Sequence, residues 1–223
     1  MTNSNSYCFV QPLDYPLVTG TATLAVSLTE AKDALRIDPT DTSQDNFITN
    51  LIYTTTNYFE LVTGRDLINK TYKCYLNNFP GVSNNYAALT YYGVNQSVGI
   101  RILKSKLQSI TSIQYYVGGI LITWDPSNYY ITDENDYAAI YLVDGQCWPT
   151  DADNRMQAIV ITFVAGYGGD ETVIPYDIKQ ALLQYIVYLY ENRGDCDCSG
   201  GGYPPSAKTF FTARKIMWLG NIC

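Results

Sequence analysis

The sequence predicts an α+β protein: an N-terminal helical pair and a long C-terminal helix packed together, with an inserted antiparallel β sandwich or barrel and extended arms at both ends. Three observations predict it. Apolar residues recur at the helical period in two separated stretches, the first near residues 28–62 and the second near 178–189. Between them the period becomes that of short strands, broken by turn signals. Outside them the composition turns polar or rich in Gly and Pro.

Residues 1–26 are polar with scattered Pro and Thr and read as an extended arm. Ser27 and Glu30 then form an S-x-x-E capping box, in which the hydroxyl caps the first turn and the carboxylate reaches back. Leu28, Ala31, Ala34 and Leu35 share one face, and Asp38-Pro39 is the stop signal. A second helix is expected to start near Asp41, Thr42 or Ser43. Phe47, Ile48, Leu51, Ile52, Thr55, Tyr58, Phe59 and Val62 keep its period, and Gly64 is placed to cap its end. With a short loop between them the two helices form an antiparallel pair.

From Lys70 the strand period takes over. Strands are predicted over Thr71–Leu76, Ile100–Leu103, Ser109–Val117, Ile120–Trp124, Tyr129–Thr132, Ala138–Val143 and Ala158–Val164. The tyrosine-rich residues 81–97 read as a long loop or insertion. The last long helix opens at Pro175, where a missing N–H costs nothing, and Asp177 suits the positive end of its dipole. Ile178, Ala181, Leu182, Tyr185, Ile186 and Leu189 make one stripe; Leu183, Val187 and Tyr188 make a second, with Gly194 as the stop. A helix apolar on two sides predicts burial on two sides, as in a ring or filament of subunits. The resulting partition is an arm over 1–26, a helical domain over 27–69 and 170–194, an inserted β domain over 70–169, and a linker with a C-terminal arm over 195–223.

Composition narrows the chemistry. The chain carries 14 Lys+Arg against 21 Asp+Glu, a net charge of −7, which argues against sequence-independent nucleic-acid binding driven by phosphate neutralisation. Residues 199–223 hold Lys208, Arg214 and Lys215 and no acid; this basic tail reads equally as a docking arm or a solvated face. Histidine is absent, which removes the usual general base and the commonest metal ligand together. The first residues lack the pattern of a signal peptide, and no apolar run is long enough to span a bilayer. The six cysteines are too scattered for a disulfide framework and read as reduced thiols of a cytoplasmic product. Tyrosine occurs 21 times, which suits wet interfaces but is also open to simple compositional drift.

The sequence completes no catalytic or cofactor motif. Gly166-Tyr167-Gly168-Gly169 precedes a helix but lacks the P-loop lysine, so a strand-to-helix turn explains it better than a phosphate cradle. Cys196 and Cys198 have no second pair to complete a metal site. The acids Asp133, Glu134, Asp136, Asp151 and Asp153 miss the spacing of a calcium loop. No imidazole-based triad can form, and any paired-carboxylate site would have to be picked arbitrarily. The expectation is a non-enzyme without cofactor or metal.

Several segments, taken in order, carry a resemblance: LTEAKDALRID (28–38), YFELVTGRDLINKTY (58–72), RILKSK before LQSITSIQYY (107–116), and WP followed by AIVITFVAGYG and IPYDIKQALLQYIVYLYENRG. Together they span roughly residues 27–194, and their wording and spacing resemble the head-to-tail connectors (adaptors) of tailed bacteriophages, in the long form with an inserted β domain. Members often carry proline near Lys104–Lys106, which this chain lacks, and the 81–97 segment looks like an elaboration.

The resemblance implies a structural virion protein at the head–tail interface, assembled in the host cytoplasm. It implies a homo-oligomeric, dodecameric ring beneath the portal protein, meeting a tail or stopper protein on its other side, with double-stranded DNA passing through the lumen and no membrane contact. It further implies a portal-docking arm in which Phe210, Phe211 and Trp218 are anchors and Lys208, Arg214 and Lys215 set the register. The subunit interface would fall on Leu183, Val187, Tyr188 and Tyr190. A rival reading from another class is a carbohydrate- or surface-binding β module of a phage tail or bacterial surface, with the tyrosine-rich segment, including Tyr91 and Tyr92, as its platform.

Overall fold

Ser27 opens the first helix as its capping box requires. The Glu30 N–H donates to Ser27 Oγ at 3.2 Å, and the Ser27 N–H donates to Glu30 Oε2 at 2.9 Å. This computed structural model describes residues 17–20, 23–80, 99–102, 104, 106–134, 137–193 and 204–215. The chain folds as two units, one from residues 21–69 and 166–217, the other from 1–20, 70–165 and 218–223.

The first unit is helical. Helix α1 (Leu28–Leu35) ends earlier than Asp38-Pro39, because Arg36 takes a left-handed conformation at φ 58 and its N–H turns back to the last turn. The next residues are held by Lys32, whose ammonium donates to Pro39 O at 3.2 Å and Asp41 O at 2.8 Å and pairs with Asp45 at 2.6 Å. That anchoring uses residues 39–44 as loop, so α2 runs Asp45–Thr63 and starts later than its polar signals suggest. Gly64, at φ 74, caps it as expected, its N–H donating to Glu60 O at 2.9 Å.

Helix α3 (Tyr176–Glu191) follows Pro175 and closes on Asn192, whose N–H donates to Tyr188 O. The expected stop at Gly194 lies outside the described residues. A fourth helix, α4 (Pro205–Arg214), forms where the sequence predicts an extended arm. The four helices share one core: Ala31 from α1, Ile48, Ile52 and Phe59 from α2, Ile178, Leu182, Tyr185 and Ile186 from α3, and Ala207 and Phe211 from α4. Each large apolar side chain so buried contributes about 1.5–3 kcal/mol before ordering costs.

The second unit is an antiparallel sandwich. One sheet has the order β1-β2-β8-β4-β5, built from Leu17–Thr19, Lys70–Leu76, Ile159–Ala165, Leu107–Val117 and Ile120–Thr123. The other has the order β3-β7-β6, from Ile100–Ile102, Tyr137–Leu142 and Tyr129–Glu134. Strand β2 alternates as a half-buried strand should, with Tyr72, Cys74 and Leu76 inward. Side chains of both sheets meet in a single cluster that includes Cys74, Ile161 and Phe163 from one and Ile100, Ile102 and Ile140 from the other. Phe79, Trp124 and Trp148 pack within it, the Phe79–Trp148 rings stacked at 5.5 Å and the two indoles 5.2 Å apart. Burial pushes the Cys74 thiol up to about 12, so it behaves as a small apolar side chain.

The fold class predicted from the sequence is therefore the fold observed, and the strands lie within a residue or two of their predicted places. Strand β1 arises inside a stretch read as an extended arm; it is three residues long, below the length at which a period can be recognised. Residues 1–16, the loop 81–97 and the linker 194–203 lie outside the described residues, with Cys8, Cys196, Cys198, Cys223 and Asp136.

Candidate assembly surfaces

The glycine corner before α3 is structural. Segments 67–69 and 166–168 run side by side: the Asn69 N–H donates to Gly168 O at 2.8 Å, and the Tyr167 N–H donates to Leu67 O at 3.3 Å. Gly166 has φ +145, and a Cβ there would sit 2.7 Å from the Asn69 backbone. A Cβ on Gly168 would sit 2.3 Å from Val173 Cγ2. These glycines serve close backbone approach, in agreement with the turn reading of the motif.

Helix α3 does present two faces. One is the core stripe of Ile178, Ala181, Leu182, Tyr185 and Ile186. The other lines a groove of about 670 Å³ formed with α1 and the start of α4. Its apolar floor includes Ala34, Leu183, Val187 and Tyr188, and Glu30, Asp33 and Glu191 give it an acidic rim. Lys179 reaches Glu30 at 2.8 Å. Gln184 lines the groove as well, and its Oε1 is buried with no hydrogen-bond partner among the described residues.

Three of the four residues placed at a subunit interface by the resemblance, Leu183, Val187 and Tyr188, therefore share one concave surface. The fourth does not. Tyr190 donates to Gln44 Oε1 at 2.9 Å, and the Arg193 guanidinium lies 3.9 Å from its ring and 4.3 Å from that of Phe47. It belongs to an aromatic–arginine cluster at the start of α2. The contribution of α1 to the groove had no sequence signal, since Glu30 and Lys179 meet from opposite ends of the chain. Gln180, Gln184 and Glu191 were legible only as helical neighbours of Leu183 and Val187.

The docking-arm residues divide in the same way. Phe211 is 1% exposed and packs edge-to-face on Phe59 at 5.3 Å, with Tyr58 and Tyr185 both at 6.1 Å. Arg214 is engaged inside the unit: its Nε donates to Asp177 at 3.0 Å, and its carbonyl accepts from Arg65 Nε at 2.6 Å. Phe210 is half-buried against the same core, whereas Lys208 and Lys215 are exposed. Trp218 lies outside the described residues.

Among the described residues no group of three or more His, Cys, Asp or Glu side chains could hold a metal ion. No described helix is long and apolar enough to cross a membrane.

The fold has relatives among solved structures. A chain in the neck of an empty GTA particle computed with C6 symmetry superposes with a TM-score of 0.70 at 15% identity, covering 94% of this chain and 99% of that one. A chain in the virion of a native gene transfer agent (GTA) particle matches to the same degree, TM-score 0.70 at 15% identity with the same coverage. A chain in the neck of a native GTA particle computed with C12 symmetry gives 0.67 at 15% identity, again over 94% and 99% of the two chains. At this identity the likeness is one of fold, and it takes in nearly the whole of both chains. No protein-family profile matches the chain, and no curated protein does.

Proposed function

We propose that this chain is a structural, non-enzymatic subunit of the neck of a phage-like virion. Copies form a ring that joins the portal protein to the tail or a stopper and lets double-stranded DNA pass through. The observation that carries the reading is the fold itself, shared end to end with chains of gene transfer agent neck and virion structures. The order of the connector-like segments supports it independently, as does the groove on the second face of α3.

In this reading Leu183, Val187 and Tyr188 receive a neighbouring subunit. Among the described residues of the C-terminal segment, the exposed Lys208 and Lys215 are the cations placed to meet an acidic portal surface. Phe211 and Arg214 act one step back, by fixing α4 to the helical unit. The platform of the rival carbohydrate reading, residues 81–97, lies outside the described residues, and no observation favours that reading.

The test is negative-stain microscopy of the protein mixed with its portal protein. Wild-type protein is expected to give rings stacked on one face of the portal. A Leu183→Asp/Val187→Asp variant with an unchanged circular-dichroism spectrum is expected to give none, and Lys208→Glu/Lys215→Glu to leave rings unattached. A monodisperse monomer that ignores the portal would refute the proposal.

A further inference from the structure

Two patches of the helical unit carry opposite charges that no described group neutralises. The first is the rim of the groove: Glu30 is taken by Lys179, but Asp33 and Glu191 are exposed and pair with no described cation. The second is the cluster of Gln44, Phe47, Tyr190 and Arg193. Lys32, Lys179 and Arg214 of this unit each meet a carboxylate. The described hydrogen bonds of Arg193 go instead to neutral acceptors, from Nε to Tyr190 O at 3.1 Å and from one terminal nitrogen to Gln44 Oε1 at 2.8 Å. Its other terminal nitrogen has no acceptor among the described residues. The guanidinium is thus fixed against the Tyr190 and Phe47 rings with donors left over for an acceptor outside the unit. Phe47, 38% exposed, sets an apolar surface beside it. Phe47, Tyr190 and Arg193 do not line the groove, so one chain does not satisfy the first patch with the second.

We propose that the Phe47–Tyr190–Arg193 cluster of one copy docks into the α3 groove of the next, the guanidinium against the Asp33 and Glu191 rim and the Phe47 ring over Leu183, Val187 and Tyr188. The proposal rests on the reading of that groove as a subunit interface and names the other half of the contact. Charge selects this occupant first. An apolar floor with an anionic rim is matched by an apolar group flanked by a cation, and the cluster presents that pair side by side. Rigidity selects it next. Gln44 and the two rings already hold the guanidinium, so pairing costs it little of the rotamer freedom that the exposed Lys208 would lose. Finally, a single chain carries both halves on different surfaces. The contact is therefore head-to-tail, the kind that propagates from copy to copy and can close into a ring. Tyr190, which does not line the groove, then joins Leu183, Val187 and Tyr188 at one contact from the opposite side.

The test is charge exchange between copies, read by sedimentation velocity of the free protein and by negative-stain microscopy with the portal protein. Arg193→Glu alone sets an acid against the acidic rim, and Asp33→Lys/Glu191→Lys alone sets Arg193 against a basic one. Each is expected to raise the association concentration by about tenfold or more or, where wild type assembles only on the portal, to give no rings there. An equimolar mixture of the two restores opposite charges at every contact and is expected to assemble as wild type does. Variants that assemble alone as well as wild type overturn the proposal. So does a mixture that stays dispersed although each variant melts like wild type, and so does a wild type that stays monomeric under both conditions. If a charge reversal unfolds the chain, Arg193→Gln decides: it removes the charge without adding an acid, and unweakened association overturns the proposal. Portal-bound rings that none of these substitutions disturbs would end this pairing and leave the neck reading standing. Rescue by mixing in a protein that ignores the portal would do the opposite.

Discussion

Replacing Phe211 with alanine separates a helix that belongs to the fold from an arm held ready for a partner. The ring is 1% exposed, with edge-to-face contact to Phe59 and further contacts to Tyr58 and Tyr185. Removing a buried phenylalanine costs about 3–5 kcal/mol, from lost transfer energy and the cavity left behind. Helix α4 could instead detach, which caps the loss at what ties it down: Ala207, Phe210, Phe211, the Arg214–Asp177 pair and the Arg65 hydrogen bond to the Arg214 carbonyl. The lower end, about 3 kcal/mol, is therefore the expected figure. For a chain of this size that lowers the melting temperature by about 6–12 °C. The assay is thermal unfolding followed by far-UV circular dichroism, with the exposed Lys208→Ala as a control expected within about 0.5 kcal/mol of wild type. An unchanged melting temperature combined with lost portal binding would refute the packing argument and return Phe211 to the role of a free anchor. The same packing means that deleting residues 199–223 would not test docking, since it strips Ala207 and Phe211 from the core.

Two further expectations concern the helical unit. Gly166→Ala combines a strained φ with a clash on the Asn69 backbone and should cost about 2 kcal/mol or more, whereas Gly169→Ala meets open space and should be nearly neutral in the same melts. Burial pushes the Glu30 carboxyl up, but hydrogen bonds from Lys179 and Ser27, with the Lys179 charge, outweigh it and hold the group below its ordinary value. A depressed carboxyl contributes stability that is present above its unfolded pKa and is lost as pH falls through its folded one. The gap in melting temperature between wild type and Glu30→Gln should therefore be full at pH 6 and shrink below about pH 4. A constant gap would show that the charge at Glu30 does not matter.

Local signals were legible wherever the responsible atoms are close in sequence. Ser27 and Glu30, Gly64 after α2, and the Gly118-Gly119 hairpin each decide a boundary within a few residues, and the structure uses each of them. Failures fall where distant partners decide. Asp38-Pro39 was the visible stop for α1, yet Arg36 ends the helix first and Lys32 reaches across to Pro39, Asp41 and Asp45. Pro204 and Pro205 read as breakers in a linker, although proline at the first turn also starts a helix; what makes α4 a helix is the place for Ala207 and Phe211 between α2 and α3. Arg214 looked free because Asp177 is in another element. The second stripe of α3 was visible in its periodicity, but the groove it lines needed α1, from the other end of the chain.

The paired segments 67–69 and 166–168 carry a consequence for how this architecture can vary. The Ile68↔Gly168 bridge and the Asn69–Gly168 hydrogen bond bring the chain's exit from the helices and its return to adjoining positions. From the helices' side, everything between is a loop with almost no span to cover. The entropy of closing such a loop grows only slowly with its length, and a self-folded insert removes most of even that. The opening is thus a socket: the helical unit can hold an inserted module of any size whose two ends meet, and recombination can exchange that module whole without disturbing the helical core.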